Sequence, residues 1–161
     1  MQTLRALLVD DEMLAIRRLS RSLERIPGVE VIGSTTSARE AVGLIGGETP
    51  DLLFLDISMP GLSGFEVIER IAPAVHPAII FVTAYGDHAV HAFDVAAADY
   101  LMKPVAQARL EEAVERGRLW LQARSAPASA RAGIDALWVH RHREFVDSRA
   151  CRCRRRSGLQ P

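Results

Sequence analysis

Apolar residues fall along this chain in short unbroken runs that alternate with stretches of helical period. Residues 4–9 form such a run, broken only by Arg5 and stopped by Asp10, Asp11 and Glu12. Runs of this length are too short for helices and suit strands covered on both faces. Residues 29–32, 52–55, 78–82 and 99–102 predict four more strands; the third ends at Asp56, the fourth at Thr83 and the fifth at Lys103 and Pro104. Between the first two, Ile16, Leu19, Leu23 and Ile26 share a helical face, with Arg17, Arg18, Arg21 and Arg25 turned away. Ser37 with Glu40, and Ser63 with Glu66, stand at capping-box spacing ahead of two further helices. The first of these is expected to stop at Gly46 and Gly47, and the second to carry Phe65, Ile68 and Ile71 to Pro73. Asp87 can cap a short fourth helix through Val90 and Phe93, and Leu110, Ala113, Val114 and Leu121 stripe a fifth. Five strands alternating with five helices predict an α/β domain with a doubly wound, five-stranded parallel sheet, because right-handed crossovers place helices on both faces.

An apolar fraction of 48% supports a sizeable core. No run of about 18 apolar residues offers a membrane span, and the N-terminus lacks a signal-peptide layout, so a cytoplasmic protein without membrane attachment is expected. The formal charge of zero hides an asymmetry. Residues 1–121 hold 11 basic and 17 acidic side chains, net −6, whereas residues 122–161 hold 9 and 3, net +6. The domain is therefore expected over 1–121, followed by an Ala-, Ser- and Arg-rich linker over 122–135. Cys151 and Cys153 have the spacing of neither a zinc site nor a disulfide framework. His88 and His91 have helical spacing but no further ligand in view, and read as a solvated face.

Asp10, Asp11, Asp56, Thr83 and Lys103 all fall at or just past the C-terminal ends of strands. In an open parallel sheet those ends share one edge, where ligands bind. Three carboxylates and one ammonium give a formal charge of −2, which a divalent cation relieves. Magnesium suits all-oxygen donors and shares its remaining positions with phosphate oxygens. A carboxylate can attack phosphorus, and a metal, a hydroxyl and an ammonium can neutralise the equatorial oxygens. Lys103 is the only lysine in a chain otherwise using arginine, and a compact ammonium serves phosphate as a point charge. Taken singly, Asp56 reads as a turn residue, Thr83 as a strand-end hydroxyl and Asp10 or Asp11 as a helix cap; together they read as one site. Because an ionised carboxylate is costly in a core, Asp56 is expected to open onto the rim, towards solvent or a cation.

Val-Asp-Asp-Glu at 9–12, Leu-Asp-Ile-Ser-Met-Pro-Gly-Leu-Ser-Gly at 55–64, Val-Thr-Ala at 82–84 and Leu-Met-Lys-Pro at 101–104 stand in order and at ordinary spacing. Over residues 4–121 the chain resembles the response-regulator receiver domain of bacterial two-component systems. The resemblance implies a flavodoxin-like sheet of strand order 2-1-3-4-5 and a phosphoryl group accepted on Asp56 from a histidine kinase. It also implies Mg2+ held by Asp10, Asp11, Asp56 and the backbone carbonyl of Ser58, with the phosphoryl oxygens bound by Thr83 and Lys103. In such a switch Thr83 moves towards the phosphate and Tyr100 turns inwards. The fourth helix, fifth strand and fifth helix read out the change and could form a homodimer, while Ser58 and Tyr85 resemble positions that tune phosphate lifetime. The implied protein is a phosphoryl acceptor and not an enzyme, beyond self-phosphorylation from small donors and self-dephosphorylation.

Residues 137–146, Leu-Trp-Val-His-Arg-His-Arg-Glu-Phe-Val, look like the opening of a LytTR-type DNA-binding domain, which makes a transcriptional regulator the alternative reading. After Val146 the pattern fails, since residues 147–161 hold five arginines and almost no large apolar residues. Residues 136–161 are thus expected to be a truncated, largely disordered remnant, left by a shifted reading frame or a truncation, without sequence-specific DNA binding. A haloacid-dehalogenase-type phosphatase also uses an aspartyl nucleophile. It wants Asp-x-Asp followed by Thr or Val after strand one, where this chain has Asp10, Asp11 and Glu12.

Overall fold

The computed structural model describes residues 3–72, 75–84 and 97–125. The helix expected around Asp87, Val90 and Phe93 lies outside these residues, as do Pro73, Tyr85, His88, His91 and everything from residue 126 onward, including the LytTR-like stretch and both cysteines. The chain divides into two units, Met1–Leu121 and Gln122–Pro161. The described elements are β1 (Leu4–Val9), α1 (Met13–Leu23), β2 (Val29–Thr35), α2 (Ala38–Glu48), β3 (Leu52–Leu55), α3 (Gly64–Glu69), β4 (Ala78–Thr83), β5 (Asp99–Met102) and α4 (Gln107–Ser125). The last of these, α4, is the fifth helix of the sequence pattern.

All strand pairings are parallel, and the order is β2-β1-β3-β4-β5, a flavodoxin-like α/β sheet. Hydrophobic β3 therefore sits in the middle, with β1 on one side and β4 on the other. Val9 and Phe81 both stand in register with Leu55, where β1 and β3 end, while β4 runs two residues further to Thr83.

Alternate residues of each strand serve opposite faces. Leu7, Val9, Leu53, Leu55 and Phe81 join Ala41, Ile45 and Val67 of α2 and α3 in one core cluster. Burying a side chain the size of leucine contributes about 1.5–3 kcal/mol. Over the other face, α4 buries Leu110, Ala113 and Val114 and comes so close that a Cβ on Gly117 would stand 2.6 Å from Leu52 Cδ2. Gln107 Nε2 donates to the Ser22 carbonyl at 3.2 Å, tying the start of α4 to the end of α1.

At the edge of the sheet where the strands begin, Asp51 links three strands. Its amide donates to the Arg5 carbonyl at 2.9 Å, and its carboxylate accepts the Arg5 amide at 2.9 Å. Its carbonyl accepts the Ala78 amide at 2.8 Å.

Some element limits differ from those expected. α2 runs through Gly46 and Gly47 and stops at Thr49, which takes the left-handed conformation (φ 43°) and donates its amide to the Ile45 carbonyl at 3.1 Å. A helical glycine costs about 1 kcal/mol relative to alanine, which weakens a helix without ending it. Ser37 accepts the Glu40 amide at 3.3 Å, but the Glu40 carboxylate takes the Thr35 hydroxyl, and the Ser37 amide goes to Thr35 Oγ1 at 3.0 Å. Only half of that capping box forms, whereas the Ser63–Glu66 box is complete. α3 is shorter than expected and is capped at Arg70, while β2 extends to Thr35 and α4 to Ser125. Among the described residues no helix is long and apolar enough to cross a membrane.

Candidate functional site at the C-terminal edge of the sheet

Three strand ends converge at the middle of this edge. The chain leaves β3 with the Asp56 amide bonded to the Val9 carbonyl at 2.8 Å, which keeps the acid level with the end of β1. Asp10 follows Val9, and its own amide is held by the Thr35 carbonyl at 3.3 Å. Asp10 is 6% and Asp56 5% exposed, so of the two outlets expected for Asp56, solvent or a cation, the cation is the one found. Its charge is met from within the protein. Lys103 Nζ lies 2.6 Å from Asp10 Oδ2 and 2.8 Å from Asp56 Oδ2, bridging the two acids. The Lys103 amide donates to the carbonyl of fully buried Thr83 at 2.9 Å, so β4 and the end of β5 place the ammonium together. A cis peptide bond joins Lys103 to Pro104.

Carboxylate oxygens of Asp10, Asp11 and Asp56 lie within 4.8 Å of one another, with Asp11 exposed. The Glu12 amide donates to Asp10 Oδ1 at 2.9 Å and the Ser58 amide to Asp56 Oδ1 at 3.1 Å, so each buried acid is fixed by the chain two residues on. The loop after Asp56 turns through Gly61 (φ +83°) and closes with the Gly64 amide on the Ile57 carbonyl at 2.9 Å. Gly64 presses against the peptide it follows: a Cβ there would overlap the Asp56 carbonyl and stand 3.1 Å from Ile57 Cα. Tyr100 is half-buried on β5, in register with Phe81 and packed against the cluster that holds Leu53 and Phe81.

Burial pushes the Asp10 carboxyl above its ordinary range, against the opposing pull of Lys103 and the Glu12 amide. Burial also disfavours the charge of Lys103, but hydrogen bonds and attraction from Asp10 and Asp56 outweigh it and hold that ammonium above the ordinary lysine value. The group stays doubly negative in formal charge even with Lys103 counted. Clustered hard oxygen donors with two charges in excess fit a divalent cation. A cavity of about 420 Å³ opens beside Lys103 and is lined by Ala15, Arg18, Leu19, Val82 and Pro104 among others.

The structure thus gathers Asp10, Asp11, Asp56, Thr83 and Lys103, sets Ser58 on the adjoining loop and leaves Tyr100 below the edge on β5. A second polar centre escaped the sequence reading. Asp99, taken only as the start of a strand, is 4% exposed and meets Arg109 Nη2 at 3.1 Å and Arg116 Nη1 at 3.0 Å. A lone acid heading an apolar strand, with two arginines seven residues apart on the next helix, was the signal available.

A family model described as response regulator receiver domain matches residues 6–115. The chain is 41% identical over 115 residues to the transcriptional regulatory protein BtsR of Escherichia coli K12, covering 71% of this chain and 48% of that protein. It is 46% identical over 112 residues to an uncharacterized response regulatory protein of Shewanella oneidensis, covering 70% and 48%. The chain thus spans about half the length of these curated relatives. Among solved structures, the response regulatory domain of MrkE from Klebsiella pneumoniae is similar with a TM-score of 0.65 and 30% identity, over 73% of this chain and 98% of that one. The receiver domain of AraT from Geobacillus stearothermophilus gives 0.67 and 26%, over 78% and 100%.

Proposed function

This chain belongs to the response regulator receiver domain family of two-component systems, and we propose that it accepts a phosphoryl group on Asp56 from a histidine kinase and answers by a change of its output face. The observation that carries this reading is the position of Lys103, one ammonium held by both Asp56 and Asp10 beside the end of β4. In the transfer an Asp56 carboxylate oxygen attacks phosphorus and the bond from phosphorus to the kinase imidazole breaks. The electron pair returns to the ring nitrogen, and an acyl phosphate remains on Asp56. Lys103 and the Thr83 hydroxyl bind the phosphoryl oxygens, supplying positive charge and a hydrogen bond where the transition state is most negative. Asp10, Asp11, Asp56 and the Ser58 carbonyl would hold Mg2+, which when bound neutralises further charge on those oxygens.

The new group carries about −2 charge and engages Thr83 and Lys103 in one state only, which gives the differential affinity a two-state switch requires. Thr83 moves towards it, Tyr100 turns inwards, and the face of β5 and α4 follows. That face is also where a homodimer would form. The chain acts as a signalling acceptor and not as a turnover enzyme, in the cytoplasm and without membrane attachment. Residues 1–121 form the receiver, and the stretch over 137–146 that resembles the opening of a LytTR-type domain lies beyond it.

Transcriptional regulation is the second reading, favoured by the name of the E. coli relative, of which this chain spans about half. Intact mass after incubation with acetyl phosphate and magnesium tests the first. The parent should gain one phosphoryl group and Asp56→Asn none; equal labelling of Asp56→Asn would put the nucleophile elsewhere.

A further inference from the structure

We propose that Asp99, Arg109 and Arg116 form a clamp that makes α4 follow β5, so that the helix leading out of the receiver unit registers the state of Asp56. The inference rests on the acceptor reading above and gives it an outward route. Asp99 heads β5, and its side chain is 3% exposed. Its Oδ1 accepts the Tyr100 amide at 2.8 Å and Arg116 Nη1 at 3.0 Å, and its Oδ2 accepts Arg109 Nη2 at 3.1 Å. Arg109 Nη2 also lies 3.4 Å from the Tyr100 carbonyl, so Asp99 and Arg109 together grip both ends of the tyrosine's backbone.

Three features make this arrangement a coupling and not merely a support. First, β5 is short: about 13 Å of strand separates Asp99 from Lys103, the residue bonded to Asp56. A displacement at Lys103 cannot be absorbed in a long flexible connection before it reaches Asp99. Second, Arg109 and Arg116 lie about two turns apart on one face of α4, so two charged bonds fix the helix both along its axis and about it. Third, the contact of α4 with the sheet at Gly117 is a bare backbone against Leu52, Ala78 and Ile80, with no side chain to interlock. Leu110, Ala113 and Val114 seat the helix through apolar contact, and the clamp supplies the charged contacts that tie it to β5. If β5 moved and α4 stayed, a buried carboxylate would lose its cations, an expensive arrangement that the helix avoids by moving too.

The test is amide hydrogen exchange on the full chain, with and without acetyl phosphate and magnesium, with intact mass read on the same samples. In the parent, phosphoryl uptake should change exchange over both residues 99–102 and residues 107–121. Asp99→Asn keeps the shape and removes the charge. It should take up the phosphoryl group as the parent does and keep the response in 99–102, while the response in 107–121 shrinks roughly fivefold or more. A purely structural role would shift exchange equally in both states and leave the phosphorylation-dependent difference intact. A parent that gains mass without a response in 107–121, or an Asp99→Asn protein whose α4 responds as the parent's does, overturns the clamp. A parent that gains no mass overturns the acceptor reading itself. Should Asp99→Asn fail to fold, Arg116→Gln, which leaves Arg109 on the acid, takes its place with the same expectation and the same overturning result.

Discussion

Gly64 shows how closely the site depends on single residues. Its neighbour is main chain, the Asp56 carbonyl and Ile57 Cα, so the overlap a methyl group would create cannot be relieved by turning a side chain. Gly64→Ala should therefore destabilise the protein by about 1–3 kcal/mol, the usual range for overpacking, and also slow phosphoryl uptake by shifting Asp56. Gly61 is the control, because a Cβ there meets nothing within 4 Å and the only penalty is its left-handed backbone. Gly61→Ala should cost about 1–2 kcal/mol with little change in the rate of uptake. Denaturant melts give the stabilities and time-resolved intact mass gives the rates; equal slowing in both variants would show that the loop acts as a whole. Both glycines were visible in the sequence as chain breakers. That one answers to a backbone angle and the other to a backbone contact was not, because spacing carries no information about how near two peptides pass.

Among the described elements, α3 is the smallest helix and depends most on its cap. Ser63 Oγ accepts the Glu66 amide at 3.3 Å, and the Glu66 carboxylate accepts the Ser63 amide at 2.8 Å. Those bonds from the Ser63 amide and hydroxyl hold the Glu66 carboxyl below its ordinary range. A carboxyl lowered on folding lends stability that is complete above its unfolded pKa and is lost as the pH falls through the folded one. Ser63→Ala should accordingly be less stable than the parent at neutral pH, with the gap narrowing in acid. Paired thermal melts at about pH 7 and about pH 3, either side of the glutamate range, check this; a gap that does not change would show that the cap acts through its hydroxyl alone. This box was legible because its partners are three residues apart. The same spacing at Ser37 and Glu40 marked a helix start but formed only half a box, since Glu40 found the Thr35 hydroxyl, a competitor on the preceding strand. The strands were legible from their apolar runs and charged stops. The Asp99 clamp was not, because an acid at the head of a strand reads alike whether it faces water or two guanidinium groups, and only the facing of α4 decides.

For the molecule as a whole, the parallel alternation of strand and helix brings Asp10, Asp56 and Lys103 together from separate parts of the chain, which is why topology made most of the site readable in advance. All of its gathered residues lie within the unit Met1–Leu121. A chain ending at Ser125, after α4, should take up the phosphoryl group from acetyl phosphate at the parent's rate, measured by intact mass over time. A large loss would mean that the later residues take part in the receiver. The opposite end of the sheet has its own use. There Asp51 fastens β1 and β4 to the start of β3 through backbone and carboxylate bonds, far from the edge where the chemistry is placed. It supplies a surveyor's datum: when the two signalling states are overlaid, Arg5, Asp51 and Ala78 are the residues to superpose, so that every displacement is measured from the hydrogen-bonded end of the sheet.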